Sequence, residues 1–119
     1  MRILIIEDTE DNRTILRDLF ENAGYTVLEA TNGEEGVASA ERERPDIILM
    51  DIQLPVLDGY EATRRIKAIP ALSGIPIIAV TSHALSDDEQ KARAAGCDDY
   101  VAKPFSPRAL LAKVQRYAR

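Results

Sequence analysis

The chain has no tryptophan, one histidine and one cysteine among 119 residues, and only 5% of its residues are aromatic. A single cysteine, Cys97, excludes an internal disulfide and a cysteine-based metal cluster, and it suits a reducing compartment. We expect Cys97 to be a packed apolar residue rather than a reactive thiol. Apolar runs long enough to cross a membrane are also absent. These absences predict a cytoplasmic protein without a membrane partner.

Positive charge is scarce as well, with 15 Lys/Arg against 20 Asp/Glu and a net charge of −5. This balance argues against direct binding of nucleic acid, which depends on a basic face. The charge is unevenly distributed, because residues 90–119 contain 7 Lys/Arg and 2 Asp/Glu whereas residues 1–89 contain 8 and 18. We therefore expect a basic surface in the C-terminal third that suits an acidic partner. The length and the 45% hydrophobic content fit one domain over residues 1–119.

Apolar strand-like runs alternate with helix-like segments five times. The predicted strands cover residues 3–6, 25–30, 47–50, 76–80 and 100–102, and the helices begin near Glu10, Gly33, Gly59, Ser86 and Pro107. The predicted core-facing residues of the first and last helices are Ile15, Leu16, Leu19, Phe20 and Ala23, and Ala109, Leu110, Val114 and Tyr117. Asn32, Asp58, Ser86 and Ser106 are the predicted helix caps. This regular alternation predicts parallel strands in a three-layer α/β/α sandwich.

The stretch from Ile47 to Pro55 contains the residue on which the functional interpretation depends. Four apolar residues, 47–50, predict a strand buried on both faces, and Asp51 follows directly. In an open parallel sheet, ligands bind at the carboxyl ends of the strands. We therefore expect Asp51 to be presented rather than buried, and to accept a phosphoryl group.

Other chemically capable residues also follow predicted strands. Glu7 and Asp8 follow the first strand, Thr81 ends the fourth and Lys103 follows the fifth. If the first and third strands are neighbours, three carboxylates converge, and their mutual repulsion favours binding of a cation. Oxygen-only ligands favour a hard metal ion such as Mg²⁺. An ammonium and a hydroxyl beside a nucleophilic carboxylate suit stabilisation of a phosphoryl group during transfer.

Each of these residues also has an ordinary structural explanation. Glu7 and Asp8 are favourable before a helix N-terminus, Lys103 fits a solvated surface position and Thr81 fits a helix cap. Their joint occurrence at the ends of predicted strands favours the functional interpretation.

The ordered set of Glu7-Asp8, Asp51 through Asp58-Gly59, Thr81 and Lys103-Pro104 resembles the motifs of receiver domains of two-component response regulators. The resemblance covers essentially the whole chain and is closest to single-domain chemotaxis and cell-cycle regulators. It implies a flavodoxin-like sheet in the order 2-1-3-4-5. It also implies that Asp51 takes phosphate from a histidine kinase or a histidine phosphotransfer protein.

The resemblance implies several further roles. Mg²⁺ is bound by Asp8, Asp51 and the Gln53 carbonyl with help from Glu7, and the protein is a phosphoacceptor rather than an enzyme, with intrinsic Mg²⁺-dependent autophosphorylation and autodephosphorylation. Thr81 and Tyr100 form the switch that changes the surface of the fourth helix, fifth strand and fifth helix for an unknown downstream protein. Gln53, Ser82 and His83 tune the loss of phosphate, and the Lys103-Pro104 bond is cis. Tyr100 as an edge-strand tyrosine and His83 as a loop residue remain alternatives.

Rival interpretations differ in class. A receiver excised from a hybrid histidine kinase has the same motifs. An aspartate-nucleophile phosphatase of the haloacid dehalogenase type needs a second acid two residues after the nucleophile, where Gln53 stands. A flavodoxin-like cofactor carrier needs a phosphate loop after the first strand, which is absent. Since the fourth helix has little large apolar area after Leu85, we also expect its amides to exchange faster than those of the last helix.

Overall fold

The computed structural model describes residues 1–81 and 86–117, the second range without the side chains of residues 86–88. Within these ranges, five parallel strands in the order β2-β1-β3-β4-β5 alternate with five helices. The elements are β1 Arg2–Ile6, α1 Glu10–Asn22, β2 Thr26–Ala30, α2 Gly33–Glu43, β3 Ile47–Asp51, α3 Gly59–Ala68, β4 Ile77–Thr81, α4 Ser86–Ala95, β5 Asp99–Ala102 and α5 Pro107–Gln115. The predicted sandwich and strand order are confirmed.

Two apolar clusters lie on opposite faces of the sheet, because successive side chains of a strand point in opposite directions. On β1, Leu4 and Ile6 join one cluster, and Ile3 and Ile5 join the other. The first cluster is covered by α2, α3 and α4, and the second by α1 and α5. This double coverage explains why the central strands are continuous apolar runs rather than alternating ones.

The edges of the sheet differ from its centre. Every residue of β3 and β4 is buried, whereas the residues of β5 are all half-buried and β2 is buried only at Ala30. The strand order reverses at β1, which pairs with β2 on one side and β3 on the other. The carboxyl ends of β1 and β3 therefore lie side by side at the point where open parallel sheets bind their ligands.

Three of the predicted helix caps are present. The side chains of Asn32, Asp58 and Ser106 accept hydrogen bonds from backbone amides at 2.8, 2.9 and 3.3 Å. Each satisfies an amide that the first turn of a helix leaves without an intrahelical partner. The fourth predicted cap, Ser86, falls outside the side chains that the structure describes. Cys97 is buried, as expected for a packing residue.

Three residues that were predicted to face the core are exposed instead. Ile15 is 58% exposed, and Ala23 and Ala109 are also exposed, whereas Leu16, Phe20, Leu110 and Val114 are buried. Within the described ranges, α1 and α5 are the two helices that cover this face of the sheet, and Ile15 is on a side of α1 that they leave exposed. Ala23 lies past the last residue of α1, and Ala109 lies in the first turn of α5. None of the helices in the described ranges is both long and apolar enough to cross a bilayer.

Candidate functional site

The carboxyl ends of β1 and β3 bring three acidic side chains together. Glu7, Asp8 and Asp51 each offer a carboxylate oxygen, and these oxygens all lie within 4.8 Å of one another. Lys103, which follows β5, places its Nζ atom 3.1 Å from Glu7 Oε1 and 3.5 Å from Asp51 Oδ2. We call these four residues the acidic site. Its three carboxylates outnumber its single ammonium.

Asp51 is more enclosed than the sequence indicated. Its residue is 5% exposed and Glu7 is 2% exposed, so the expectation that Asp51 is presented rather than buried is wrong. The carboxylate ends a fully buried strand, Lys103 lies over it, and the Gln53 amide donates to its Oδ1 atom at 3.2 Å. Asp8 is the exposed member of the three acids.

This enclosure changes the acidity of the site. Burial and the charge of Glu7 together raise the pKa of Asp51 from 3.8 to about 7, although the charge of Lys103 lowers it. Burial and the neighbouring Glu7 also raise the pKa of Asp8. A carboxyl group with a raised pKa keeps its proton at higher pH, unless a bound cation takes the place of that proton. The electrostatics of the site therefore favour a bound cation.

Glu7 remains ionised because it accepts several hydrogen bonds. Burial alone raises its pKa, but bonds from the Thr9 amide at 3.0 Å and the Lys103 ammonium at 3.1 Å outweigh burial and lower it. Asn12 Nδ2 donates to the same carboxylate at 3.3 Å. Burial lowers the pKa of Lys103, but the hydrogen bond to Glu7 and the charge of Asp51 raise it overall. Sequence reasoning missed Thr9 and Asn12, whose position just after the two acids was the available signal.

The other predicted residues lie around this cluster at different distances. Gln53 Nε2 donates to Thr81 Oγ1 at 3.4 Å, and the Lys103 amide donates to the Thr81 carbonyl at 2.6 Å. Tyr100 lies on β5 opposite Ala79 and packs against the core face that α2, α3 and α4 cover. The peptide bond between Lys103 and Pro104 is cis. Ser82 and His83, the predicted tuning residues, lie outside the described residues.

A largely apolar groove of about 560 Å³ opens beside the acidic site. It lies between α1 and the chain that follows β5, and its lining includes Glu7, Ile15, Lys103 and Phe105. Ile15 therefore belongs to the wall of this groove rather than to the core. The groove gives the acidic site an apolar border on one side.

The donor set fits a hard divalent cation. It consists of carboxylate oxygens with surplus negative charge, and Mg²⁺ binds through one or two carboxylates while it keeps several waters. Among the described residues, this is the one group of three or more His, Cys, Asp or Glu side chains with that geometry. The fit rests on ligand type and charge.

The similarity to known proteins extends over nearly the whole chain. The profile of the response regulator receiver domain matches residues 3–115. The polar-differentiation response regulator DivK of Brucella anthropi is 42% identical over 115 residues, which is 97% of this chain and 94% of that protein.

Solved structures extend this similarity to the fold. The receiver domain of the sensor histidine kinase PA1611 from Pseudomonas aeruginosa is 45% identical with a TM-score of 0.91, covering 98% of this chain and 95% of that one. That structure holds a magnesium ion coordinated in its active-site cleft. A putative response regulator from Chloroflexus aurantiacus is 32% identical with a TM-score of 0.94, covering 99% and 98% of the two chains.

Proposed function

The chain belongs to the response regulator receiver domain family of two-component systems, and on that premise we propose that Asp51 is its phosphoacceptor. The donor is a phosphohistidine of a histidine kinase or of a histidine phosphotransfer protein. The observation that carries the proposal is the convergence of the Glu7, Asp8 and Asp51 oxygens within 4.8 Å, with the Lys103 ammonium beside them. A purely structural cluster has no need of this surplus of acids.

The proposed reaction is a transfer between two nucleophiles. A carboxylate oxygen of Asp51 forms a bond to phosphorus, the bond between phosphorus and the imidazole nitrogen breaks, and the imidazole leaves with that electron pair. Lys103 provides positive charge beside the incoming phosphoryl oxygens, and Thr81 provides a hydroxyl donor. Since the pKa of Asp51 is about 7 even with Lys103 beside it, this carboxylate needs a second positive charge nearby to be fully ionised at neutral pH.

Glu7, Asp8, Asp51 and the carbonyl of Gln53 are the residues that would hold Mg²⁺. The ion supplies charge neutralisation for the acids and for the phosphoryl oxygens when it is bound. The presence of magnesium in the active-site cleft of the related PA1611 receiver supports this choice of cation.

Phosphorylation would become a signal through Thr81 and Tyr100. The phosphoryl group adds roughly −1.5 to −2 charge and three acceptor oxygens to Asp51. Thr81 moves toward the phosphate, Tyr100 fills the vacated space, and the surface formed by α4, β5 and α5 changes for a downstream partner. Shifting such an equilibrium from about 1:99 to 99:1 takes roughly 5.5 kcal/mol. A few charge-assisted hydrogen bonds of about 1.5–3 kcal/mol each are sufficient.

The downstream partner in this proposal has an acidic docking surface. Exposed Lys91, Arg93 and Arg108 lie on α4 and α5, in the part of the chain with the basic excess. Charge complementarity of this kind steers association and selects partners. Gln53, Ser82 and His83 set how fast water removes the phosphate, and the hydrogen bond from Gln53 Nε2 to Thr81 gives Gln53 a contact with the switch.

We further propose that residues 1–119 form one receiver domain of the cytoplasm, a signalling module with Mg²⁺-dependent autophosphorylation and autodephosphorylation rather than an enzyme acting on a separate substrate.

A second candidate is a receiver that works within a hybrid histidine kinase. It is supported by the 45% identity to the receiver domain of the sensor histidine kinase PA1611, over 98% of this chain. Identification of the full gene product separates the two.

The test is phosphorylation by acetyl phosphate in the presence of Mg²⁺, followed by mass spectrometry. We expect the wild type to gain one phosphoryl group, Asp51→Asn to gain none, and beryllofluoride to shift the NMR signals of Tyr100 only in the wild type. Asp98→Asn is the matched control, because it makes the same change just before β5 and should leave labelling intact. Phosphate retained by Asp51→Asn would contradict the proposal, and steady hydrolysis of a phosphomonoester would favour an aspartate-nucleophile phosphatase.

A further inference from the structure

Arg13 joins the turn after β1 to the edge strand β2. Its Nη1 atom donates to the backbone carbonyl of Glu7 at 2.9 Å, and its Nε atom lies 3.5 Å from Glu29 Oε1. The Arg13 side chain is only 16% exposed. The guanidinium therefore makes a partly buried bridge between β2 and the turn that carries two of the three acids.

The Glu7 carbonyl lies beyond the paired residues of β1. The register between β1 and β2 ends at Ile6 and Ala30, and the Glu7 amide adds one last hydrogen bond to the Ala30 carbonyl at 3.0 Å. Glu7 is 2% exposed, and a buried carbonyl that is left without a donor costs free energy. Arg13 supplies this donor as a charge-assisted hydrogen bond, which is stronger than a neutral one.

The contact with Arg13 also constrains Asp8. The peptide group between Glu7 and Asp8 is planar, so fixing the direction of the Glu7 carbonyl also fixes the direction of the Asp8 amide. The carboxylate of Glu7 is held separately by Thr9, Asn12 and Lys103. Arg13 therefore fixes the backbone of the turn, while the other donors fix the side chain.

Arg17 provides an internal comparison, because it shares the partner of Arg13 but not its contact with the turn. Its Nη1 atom lies 2.9 Å from Glu29 Oε2, and its Nη2 atom donates to Thr14 Oγ1 at 3.4 Å. Both arginines lie on α1 and pair with Glu29. Within the part of the chain that the structure describes, Arg13 donates to Glu7, whereas Arg17 donates to Glu29 and Thr14.

We propose that Arg13 is a positioning residue for the cation site, one that holds the Glu7–Asp8 turn through the Glu7 carbonyl and does not itself bind the metal. This role rests on the proposed function, since it requires that the acids bind Mg²⁺. It predicts that loss of Arg13 changes Mg²⁺ affinity in the direction opposite to that expected from charge alone. Removing a positive charge near a cation site should strengthen cation binding by Coulomb's law, whereas losing the turn geometry should weaken it.

The experiment is a Mg²⁺ titration of wild type, Arg13→Gln and Arg17→Gln, followed by NMR at the Glu7 and Asp8 amides. We expect Arg13→Gln to weaken Mg²⁺ affinity about tenfold, the usual scale for residues that orient metal ligands. Arg17→Gln should change it less than about twofold, since it makes the same charge change without touching Glu7. The Mg²⁺ concentration giving half-maximal phosphorylation by acetyl phosphate should rise equally in Arg13→Gln, while the rate at saturating Mg²⁺ stays near that of the wild type.

Two further measurements separate a loss of stability from a loss of the turn geometry. Chemical denaturation of Arg13→Gln and Arg17→Gln measures how much stability each variant loses with its ion pair to Glu29. Arg13→Lys keeps the charge and tests the same point should Arg13→Gln not fold, because one ammonium replaces the two-sided guanidinium contact; we expect it to weaken Mg²⁺ binding too. Mg²⁺ affinity in a folded Arg13 variant equal to or higher than that of the wild type would overturn the positioning role alone. A wild type that binds no Mg²⁺ would overturn this role together with the proposed cation site.

Discussion

Two clusters of acids and lysines lie at opposite ends of the sheet and differ in charge balance. The acidic site, at the carboxyl ends of the strands, has three carboxylates and one ammonium. The second cluster, which we call the β5 network, consists of Asp98, Asp99, Lys67, Lys113 and Tyr117 around the start of β5. It has two carboxylates and two ammonium groups, so each acid has a cation of its own.

The acidities of the two clusters follow this balance. Burial and the charge of Glu7 raise the pKa of Asp51 to about 7, and the single lysine beside it does not compensate. Burial also acts on Asp99, but hydrogen bonds from the Tyr100 amide, Lys113 and Tyr117 outweigh it and lower the pKa. Lys67 ties Asp98 on the β5 side to the carbonyls of Ser73 and Ile75 before β4. The same residue types thus form a structural junction where charges balance and a candidate cation site where they do not.

The largest expected contrast is the pH dependence of stability. Between about pH 4 and 7 the folded state keeps the proton of Asp51 while the unfolded state releases it, so stability falls as the pH rises, by up to about 4 kcal/mol. Asp51→Asn should therefore be more stable than the wild type above pH 7 without Mg²⁺, with a difference that shrinks toward pH 4. The measurement is urea denaturation in EDTA across this range.

Asp99→Asn is the matched variant and should have the opposite sign. Because the folded-state pKa of Asp99 is lowered, Asp99 contributes stability above the unfolded pKa, and this contribution is lost as the pH falls through the folded pKa. The substitution should therefore destabilise the protein at neutral pH. A change of the same sign in the free energy of unfolding of Asp51→Asn and Asp99→Asn at neutral pH would contradict the comparison.

The next largest effect is stabilisation by Mg²⁺. Binding at a Mg²⁺ concentration one hundred times Kd should raise the free energy of unfolding by about 2.7 kcal/mol. Asp8→Asn should lose this gain, whereas Asp98→Asn should keep it. Thermal denaturation with and without Mg²⁺ measures the difference, and an equal gain in both variants would show that the ion binds elsewhere.

A smaller effect is expected on the pKa of Asp51 when a lysine is removed. Lys103→Met deletes the positive charge 3.5 Å from Asp51 Oδ2, and the pKa of Asp51 should rise by about 1 unit. Lys113→Met removes the same charge from the β5 network and should leave this pKa unchanged. Carbon-detected NMR titration of the aspartate carboxyl groups provides the measurement. A similar shift in the two variants would mean that long-range charge, rather than the local contact, sets this pKa.

The smallest expected effect concerns Tyr117. Its hydroxyl donates to Asp99 Oδ2 at 3.0 Å, and Tyr117→Phe should lower the free energy of unfolding by about 1 kcal/mol. Mg²⁺ affinity should not change, because the β5 network lies at the other end of the strands. Loss of Mg²⁺ affinity in this variant would show that the two clusters are coupled.

The fold was predictable because its signals are local. The apolar runs before Glu7, Asp51 and Thr81 are too short for helices, and Asn32, Asp58 and Ser106 mark the helix starts that the structure confirms. The strand order came from the family resemblance, since alternation alone fixes only parallel strands. Local signals identified the strands and helices, and the family resemblance predicted the order of the strands in the sheet.

The sequence was less informative about what surrounds each side chain. The periodicity of α1 treats Ile15 and Leu16 alike, yet Leu16 is buried in the core and Ile15 is exposed in the wall of the groove. Asp51 ends its strand as predicted, but its burial depends on Glu7 and Lys103, which are distant in the chain. Arg13 was missed because its partners are a backbone carbonyl and a residue of β2, and neither follows a spacing rule.

The sequence predicts that α4 is held less firmly than α5. Its apolar contacts with the core include the small side chains Ala92 and Ala95, which offer little area to bury. The faster amide exchange expected for α4 relative to α5 stays a prediction. Hydrogen exchange followed by mass spectrometry would measure it, and equal protection would count against a loosely held helix.

The position of β3 has a mechanical consequence. Every residue of this strand is buried and it has a paired strand on each side, whereas β5 is half-buried along its whole length and paired on one side. A group attached to Asp51 is therefore held at the end of a strand that is buried and paired on both sides. Because β5 is less buried, we expect the structure to adjust to the bulk and charge of such a group at this strand, which carries Tyr100 and leads directly into Lys103.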